Sequence, residues 1–173
     1  MRQSFRLTLP ILLVLVLASG IVITLNAQSV LPLPRAFTQE QKLTASDGAT
    51  DDYFGTIVAI DGDTAIIGAP RDDGTGTESG AAYIFVRDGG GVWSQQQKIF
   101  PGDLGADDNF GISVSISGDT VIVGAPFQGT NQGAAYVFTR SGVVWTQQQK
   151  LTTSDAGNND GIGAAVKVVG DTA

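Results

Sequence analysis

The chain has 173 residues and a formal net charge of −7, and it contains neither histidine nor cysteine. Without these residues it cannot form disulfide bonds, use thiolate chemistry or activate a nucleophile with histidine. Its acidic balance disfavours contact with phosphates, so we expect no nucleic-acid partner.

The N-terminal segment has the pattern of an export signal. A basic lead at residues 1–6 precedes an apolar run at residues 7–25, and small residues follow. The pattern predicts a hydrophobic helix within residues 1–27, serving either as a cleaved signal peptide or as an uncleaved membrane anchor. Both alternatives place the rest of the chain across the membrane, secreted or at the cell surface. Residues 28–36, with two prolines, are predicted to be a linker.

The remaining residues, 37–173, contain a repeated unit. The sequence FGTIVAIDGDTAIIGAP at residues 54–70 returns as FGISVSISGDTVIVGAP at residues 110–126. A third copy begins as IGAAVKVVGDTA at residue 162. A period of this size is typical of architectures in which each repeat is one supersecondary unit packed against its neighbours.

Each complete unit contains four predicted strands. In the second copy strand one alternates large apolar and small residues, so one face is predicted to fill a gap between sheets and the other to let a neighbouring sheet come close. In the first copy it is apolar on both faces, as in a strand buried between two layers. A Gly-Asp pair predicts a two-residue type II′ hairpin to strand two, which ends at a proline. Strand three begins with GAAY, and the Gln-rich strand four suits an outer edge. The predicted ranges are an isolated outer strand at 37–43, units at 54–99 and 110–151, and a partial unit at 162–173.

These motifs resemble the FG-GAP repeat, which is known from the head of integrin α subunits and from many secreted or surface-attached bacterial proteins. The FG motif stands at residues 54–55 and 110–111, and GAP at 68–70 and 124–126, whereas the third copy has Ile162-Gly163 in place of FG. The resemblance implies an all-β protein of β-propeller type, with one four-stranded antiparallel blade per repeat. Because propellers close with about 4–8 blades, the chain is expected to be a fragment whose missing blades are partners of those present.

Acidic residues form two kinds of candidate site. Integrin-type repeats often carry a calcium loop between strands one and two, but here that connection is a short turn, so its aspartates (Asp63, Asp119 and Asp171) are expected to bond nearby backbone amides. The connection before strand one repeats the pattern D-x-x-x-[DN]-D, whose oxygens suit a weak calcium site. The alternative is a solvated loop whose carboxylates cap turns. The predicted calcium ligands are Asp47, Asp51, Asp52, Asp103, Asp107 and Asp108, and in the first unit Asp72, Asp73 and Glu78 could add oxygens.

Large aromatic residues also recur at fixed places in the unit, namely Tyr83, Trp93, Tyr136 and Trp145. Their periodicity favours packing between sheets over a row that binds sugars.

Taken together, these patterns predict an exported, non-enzymatic binding or adhesion module with an extracellular protein or glycan as its ligand. Two alternatives stay open: the propeller part of a larger secreted hydrolase, and an architectural spacer. Fold by itself does not decide between them.

Overall fold

The computed structural model describes residues 13–16, 22–25, 39–170 and 172–173. They divide into two units, Met1–Glu40 and Gln41–Ala173. In the first unit, β1 (Leu13–Val16) and β2 (Val22–Leu25) form an antiparallel pair. The helix predicted within residues 1–27 is therefore not present in these two stretches, which are rich in the β-branched residues that favour strands. The rest of that range and the predicted linker lie outside the described residues. Within the described residues, no helix is long and apolar enough to span a membrane.

The second unit contains two four-stranded antiparallel sheets, which we call the first and second blades. In each blade the strands are hydrogen-bonded in chain order, so the predicted all-β units are confirmed. One short helical turn, α1 (Gln128–Asn131), interrupts the loop between strands two and three of the second blade. The first blade consists of β3 (Val58–Asp61), β4 (Thr64–Ala69), β5 (Ala81–Arg87) and β6 (Trp93–Ile99). The second blade consists of β7 (Ser113–Ser117), β8 (Thr120–Ala125), β9 (Ala134–Ser141) and β10 (Val144–Leu151).

The hairpin from strand one to strand two has the predicted geometry. Asp61 pairs with Thr64, which leaves Gly62 and Asp63 as the two turn residues. Gly62 has φ 57° and Asp63 has a negative φ, as a type II′ turn requires. Gly118 repeats this arrangement with φ 54° in the second blade.

Two predicted strand limits differ from the structure. Strand one begins at Val58 in the first blade, because Phe54 and Gly55 belong to a turn in which Thr56 N donates to Tyr53 O over 3.1 Å. The outer strand predicted at 37–43 is not a strand over its described residues, 39–43. These residues contact the first blade through their side chains and form no backbone hydrogen-bond ladder with it. The Gln41 side chain hydrogen-bonds to the backbone of Trp93, and Leu43 packs against the blade.

The main hydrophobic core lies between the two blades. Val114 and Ile116 of β7 are only 8% and 7% exposed, and they pack in one cluster with Ile66 and Ile84 of the first blade. The equivalent residues of the first blade have no such cover, since Val58 and Ile60 are 60% and 61% exposed.

The FG and GAP glycines are the points at which the blades touch backbone to backbone. A Cβ atom on Gly68, the GAP glycine of the first blade, would lie 2.0 Å from the carbonyl oxygen of Gly111. A Cβ atom on Gly111, the FG glycine of the second blade, would lie 2.4 Å from the carbonyl oxygen of Ala81. The same contacts recur between Gly124 and Gly163. Only glycine permits this approach, so both motifs serve to join one blade to the next.

The partial third unit lies on the outer face of the second blade. Ile162 forms a parallel bridge with Gly133, and Val168 is 2% exposed within a cluster that includes Ile122. Ser115 of β7 accepts a hydrogen bond from Val168 N over 3.1 Å. The small residues of strand one therefore receive the next repeat, as their size predicts.

Candidate functional site

Two kinds of loop meet at one end of each blade. In an antiparallel sheet with strands in chain order, the connection from strand two to strand three lies at the same end as the connection that enters strand one. We call this end the loop end; it comprises residues 44–57 and 70–80 in the first blade and 100–112 and 126–133 in the second. The predicted calcium ligands all belong to it.

A network of charged residues holds the loop end of the first blade. Lys98 Nζ, from β6, lies 2.8 Å from Oδ2 of Asp47 and 2.8 Å from Oδ2 of Asp72. The Tyr83 hydroxyl, from β5, is 2.7 Å from Asp72 Oδ2 and 3.0 Å from Asp47 Oδ1. Because the Asp72 side chain is only 4% exposed, its charge depends on these partners for compensation.

The pKa values follow from this arrangement. The hydrogen bond from Lys98 holds the pKa of Asp47 below its usual range, although burial opposes this. Burial, followed by hydrogen bonds to Asp72 and Asp47, raises the pKa of Tyr83 far above its usual range. Burial favours a neutral Lys98, but its bonds to both carboxylates prevail and raise its pKa. The ammonium and the Asp47 carboxylate therefore both stay charged at neutral pH.

The second blade has a reduced form of this network. Lys150 Nζ lies 2.7 Å from Asp103 Oδ2, in the place of the Lys98–Asp47 pair. Gln128 stands where the first blade has Asp72. The Tyr136 hydroxyl is buried and has no hydrogen-bond partner among the described residues. Burial, and then the Asp103 charge, raises the pKa of Tyr136 beyond its usual range.

The last carboxylate of each acidic connection caps a turn. Asp52 Oδ2 accepts from Ala49 N over 2.6 Å, Asp108 Oδ2 from Gly105 N over 2.7 Å, and Asp160 Oδ2 from Gly157 N over 2.6 Å. Burial raises the pKa of Asp108, although the bond from Gly105 opposes this. Capping, the predicted alternative to calcium binding, is thus a role that these carboxylates have.

The six predicted calcium ligands do not converge on two metal sites. Asp47 and Asp103 are paired with lysines, Asp52 and Asp108 cap turns, and Asp51 and Asp107 have left-handed backbones with φ 71° and 66°. Among the described residues, no group of three or more acidic side chains is arranged to hold a metal ion. Calcium binding by these six residues stays a prediction.

The aspartates of the Gly-Asp turns have different partners from those predicted. Asp63 Oδ1 accepts from Arg87 Nε over 2.8 Å, and Asp119 Oδ1 accepts from Arg140 Nε over 2.7 Å. Each guanidinium also lies over an outer-strand tryptophan, 5.5 Å from the Trp93 ring and 5.2 Å from the Trp145 ring. The expected bonds to backbone amides are replaced because an arginine at the end of strand three reaches the turn. Asp171 lies outside the described residues.

The aromatic residues pack, as predicted. Tyr83 and Tyr136 are fully buried, Trp145 is 2% exposed, and the partly buried Trp93 packs against the core of the first blade. The FG phenylalanines meet these tyrosines edge to face, with ring centres 5.4 Å apart for Phe54–Tyr83 and 5.7 Å apart for Phe110–Tyr136. A sugar-binding row would need exposed ring faces, which the buried rings do not offer.

Two residues of the network, Lys98 and Asp72, were not among the six predicted calcium ligands. Lys98 was assigned solely to an outer strand, and Asp72 only as an extra oxygen donor. The available signal was the recurrence of lysine at one place in strand four, at Lys42, Lys98 and Lys150. Together with acidic loops, a periodic lysine predicts a repeated ion pair.

The loop end also exposes aromatic side chains. Tyr53 is 50% exposed, with the Arg71 guanidinium 4.5 Å from the centre of its ring. Phe127 in the second blade is 43% exposed. Aromatic and arginine side chains of this kind are enriched at protein interfaces.

A comparison with known protein families adds a further finding. The family model described as the FG-GAP repeat matches residues 37–85 and 93–138, together more than half of the chain. No curated protein matches the chain.

Proposed function

The chain belongs to the FG-GAP repeat family, and on that premise we propose that it is an exported, non-enzymatic binding or adhesion module. In this proposal its two blades are successive blades of a β-propeller, and it binds an extracellular protein or glycan at the loop end. The secretory pattern of residues 1–27 supports export, with the body either secreted or held at the cell surface.

The observation that carries the proposal is the exposed pair Tyr53–Arg71 on a fixed frame. The Lys98 network ties the loops of the first blade to β5 and β6, so the neighbouring loop residues rest on a rigid sheet. Loops held in this way by a scaffold are where binding residues concentrate. The ionisable groups of the network are bound to one another, because Lys98 bridges the Asp47 and Asp72 carboxylates, which fits a structural support better than a catalytic group.

The face of the first blade that carries Gly55, Val58 and Ile60, which we call the front, supports the propeller arrangement. Gly55 has φ +92° and no atom within 4 Å of a Cβ built on it, whereas its equivalent Gly111 touches the preceding blade. Val58 and Ile60 are exposed at the position where Val114 and Ile116 are covered. This face has the features of a blade-to-blade contact, and another blade in front of it would bury them.

Export is tested by fusing the complete chain to alkaline phosphatase, which is active only after crossing the bacterial inner membrane. The expected result is phosphatase activity that is lost when residues 7–25 are deleted. Activity that does not depend on these residues would contradict export by the N-terminal segment.

Binding is tested by immobilising the complete chain and probing it with panels of extracellular glycoproteins and glycans. We expect saturable binding that is weakened by Tyr53→Ala and by Phe127→Ala at the loop end. Val143→Ala is the matched control, because Val143 is 69% exposed in the hairpin at the opposite end of the second blade. Equal weakening by Val143→Ala, or binding unaffected by all three substitutions, would overturn the proposal that the ligand binds at the loop end.

A further inference from the structure

A small cavity of about 90 Å³ lies where the second blade meets the third unit. Residues of the loop after β8 and of the connection before the third unit line it: Pro126, Phe127, Asn131, Asn159 and Gly161. We propose that this cavity, which we call the junction pocket, holds the acetamido group of a neutral glycan, with the adjoining sugar ring on Phe127. This ligand class rests on the proposed function, since it specifies what binds at the loop end.

Backbone hydrogen bonds hold the two walls of the junction pocket together. Gly161 N donates to Asn131 O over 3.1 Å, and Ile162 N donates to Gln132 O over 2.9 Å. Asn131 and Asn159 both have left-handed backbones, with φ 60° and 70°, a conformation that asparagine adopts more readily than most residues. The side chains that line the pocket therefore start from fixed backbone positions.

The two asparagine side chains leave one acceptor and one donor for a ligand. Asn131 Nδ2 donates to Asn159 Oδ1 over 3.1 Å. Asn131 Oδ1 and Asn159 Nδ2 have no hydrogen-bond partner among the described residues. Turning both amides over would exchange their roles and still leave one acceptor and one donor. An acetamido group carries the complementary pair, because its N–H donates and its C=O accepts.

The other side of the junction pocket is apolar. Pro126 and Phe127 form this side, and Phe127 is 43% exposed. The methyl of an acetamido group can contact it while the N–H and C=O reach the two asparagines. The cavity has room for such a substituent and not for a whole sugar ring, since pockets that enclose small molecules usually measure about 300–1,000 Å³. The C–H groups of the sugar ring can instead pack on the exposed part of the Phe127 ring.

Comparison with the preceding junction indicates that the ligand is neutral. Three charged residues where the first blade meets the second correspond to three uncharged residues of the junction pocket: Arg71 to Phe127, Glu78 to Asn131 and Asp107 to Asn159. Glu78 and Asp107 have the same left-handed backbone as their counterparts, with φ 50° and 66°. A charged ligand would find no ionic partner among the residues that line the junction pocket, so the pocket suits a neutral one.

Uncharged groups adjacent in sequence to the lining residues favour a glycan over a peptide. Thr130 Oγ1 donates to Asn158 Oδ1 over 2.8 Å, and Gln132 Nε2 donates to Ala156 O over 3.1 Å. The other amide atoms of Asn158 and Gln132 can donate to sugar hydroxyls or accept from them. A peptide is usually bound along a sheet edge or in a long groove, whereas the junction pocket is a small cavity between two loops.

The test is saturation-transfer NMR of the complete chain with N,N′-diacetylchitobiose, in a detergent that has no sugar head group. We expect the acetyl methyl protons to receive the strongest saturation. Titration should give a Kd on the order of 10⁻³ M, because the pocket is small and few of its polar groups are free. Cellobiose has the same linkage without acetamido groups and should bind roughly tenfold more weakly.

Two variants separate the contribution of the amide pair from that of the aromatic ring. Asn159→Asp keeps the oxygen that accepts from Asn131 and replaces the free Nδ2 donor by an oxygen, so we expect the affinity to fall roughly tenfold. Phe127→Ala should lower the affinity roughly fivefold. Asp107→Asn makes the reverse exchange at the equivalent position of the preceding junction; it is the matched control and should leave the affinity unchanged. Circular dichroism of each variant separates loss of the pocket from loss of the fold.

Three results would overturn the proposal. The first is no saturation of N,N′-diacetylchitobiose at roughly ten times the expected Kd. The second is equal affinity for cellobiose, or for the acetylated peptide N-acetylalanine amide, which would point to a peptide. The third is an affinity that neither Asn159→Asp nor Phe127→Ala changes. Binding of another glycoprotein or glycan that Tyr53→Ala weakens would still support the proposed function, so the two proposals can fail separately.

Discussion

Tyr83 and Tyr136 occupy the same place in their blades but have different surroundings. Both are fully buried, and both lie under a lysine, with Lys98 Nζ 5.3 Å and Lys150 Nζ 5.5 Å from the ring centres. The Tyr83 hydroxyl donates within the Lys98 network, whereas the Tyr136 hydroxyl has no partner among the described residues. The Tyr83 hydroxyl contacts two carboxylates, Asp72 and Asp47. In the second blade Gln128 replaces Asp72, and Asp103, the equivalent of Asp47, makes no hydrogen bond to the Tyr136 hydroxyl.

Removing each hydroxyl should therefore affect the free energy of unfolding differently. Tyr83→Phe leaves the buried Asp72 with one fewer donor, and we expect it to lower the free energy of unfolding by about 1–3 kcal/mol. Tyr136→Phe removes a buried polar group that has no partner, and we expect no loss, or a gain of up to about 1 kcal/mol. Urea denaturation of the two variants measures both effects. A similar loss of unfolding free energy in both variants would contradict the explanation by hydrogen-bond partners of the two hydroxyls.

The lowered pKa of Asp47 predicts loss of stability in acid. A carboxylate whose pKa is depressed by folding contributes stability that is fully present above its ordinary value of 3.8 and is lost as the pH falls through the lower folded value. We therefore expect Asp47→Asn to flatten the decline in melting temperature between about pH 5 and pH 2. Asp155→Asn, an exposed aspartate of the equivalent connection in the third unit, is the control and should not change the slope.

At the scale of strands, the blades are also joined by glutamine side chains. Gln97 Nε2 donates to Trp145 O and Gln97 Oε1 accepts from Trp145 N, both over 2.8 Å. Gln41 makes the same pair of bonds with the backbone of Trp93, over 2.7 and 2.8 Å. Gln149 is the third member of this series and has no side-chain hydrogen bond among the described residues. Residues 39–43 thus hold the beginning of β6, and β6 holds the beginning of β10.

Gln97→Ala and Gln149→Ala form a matched pair of tests for this contact. Loss of two hydrogen bonds should cost Gln97→Ala about 1–2 kcal/mol of unfolding free energy. Gln149→Ala should remain within about 0.5 kcal/mol of wild type, as do most surface substitutions. Equal effects in guanidinium denaturation would contradict a role for Gln97 between the blades.

The strands of both blades could be predicted because their signals are local. The alternation in β7, the Gly62-Asp63 turn and Pro70 each act within a few residues of the structure that they specify. The contacts of Lys98 and Gln97 could not be predicted in the same way, since their partners lie far away in sequence and meet only when blades stack. For the same reason, the acidic connections were recognised, but the buried position of Asp72 was not.

For the whole molecule, the blades are joined by backbone contact between FG and GAP glycines. These contacts place Val114 and Ile116 over the first blade and leave Val58 and Ile60 uncovered at the front. The alternating apolar residues of strand one in the second blade fill this contact, since Phe110, Val114 and Ile116 are 0%, 8% and 7% exposed. An array joined in this way extends by adding further blades at its ends, which is the arrangement that the proposed propeller requires.

That these glycines join the blades is tested most directly by comparing Gly111→Ala with Gly55→Ala in equilibrium denaturation. Both residues have a positive φ, so alanine is strained at each by about 1–2 kcal/mol. Only at Gly111 would the new Cβ also meet backbone, 2.4 Å from Ala81 O, whereas Gly55 has open space. We expect Gly111→Ala to cost at least about 2 kcal/mol more than Gly55→Ala and to separate the unfolding of the two blades. Equal losses of unfolding free energy, each with a single cooperative transition, would contradict the claim that these glycines join the blades.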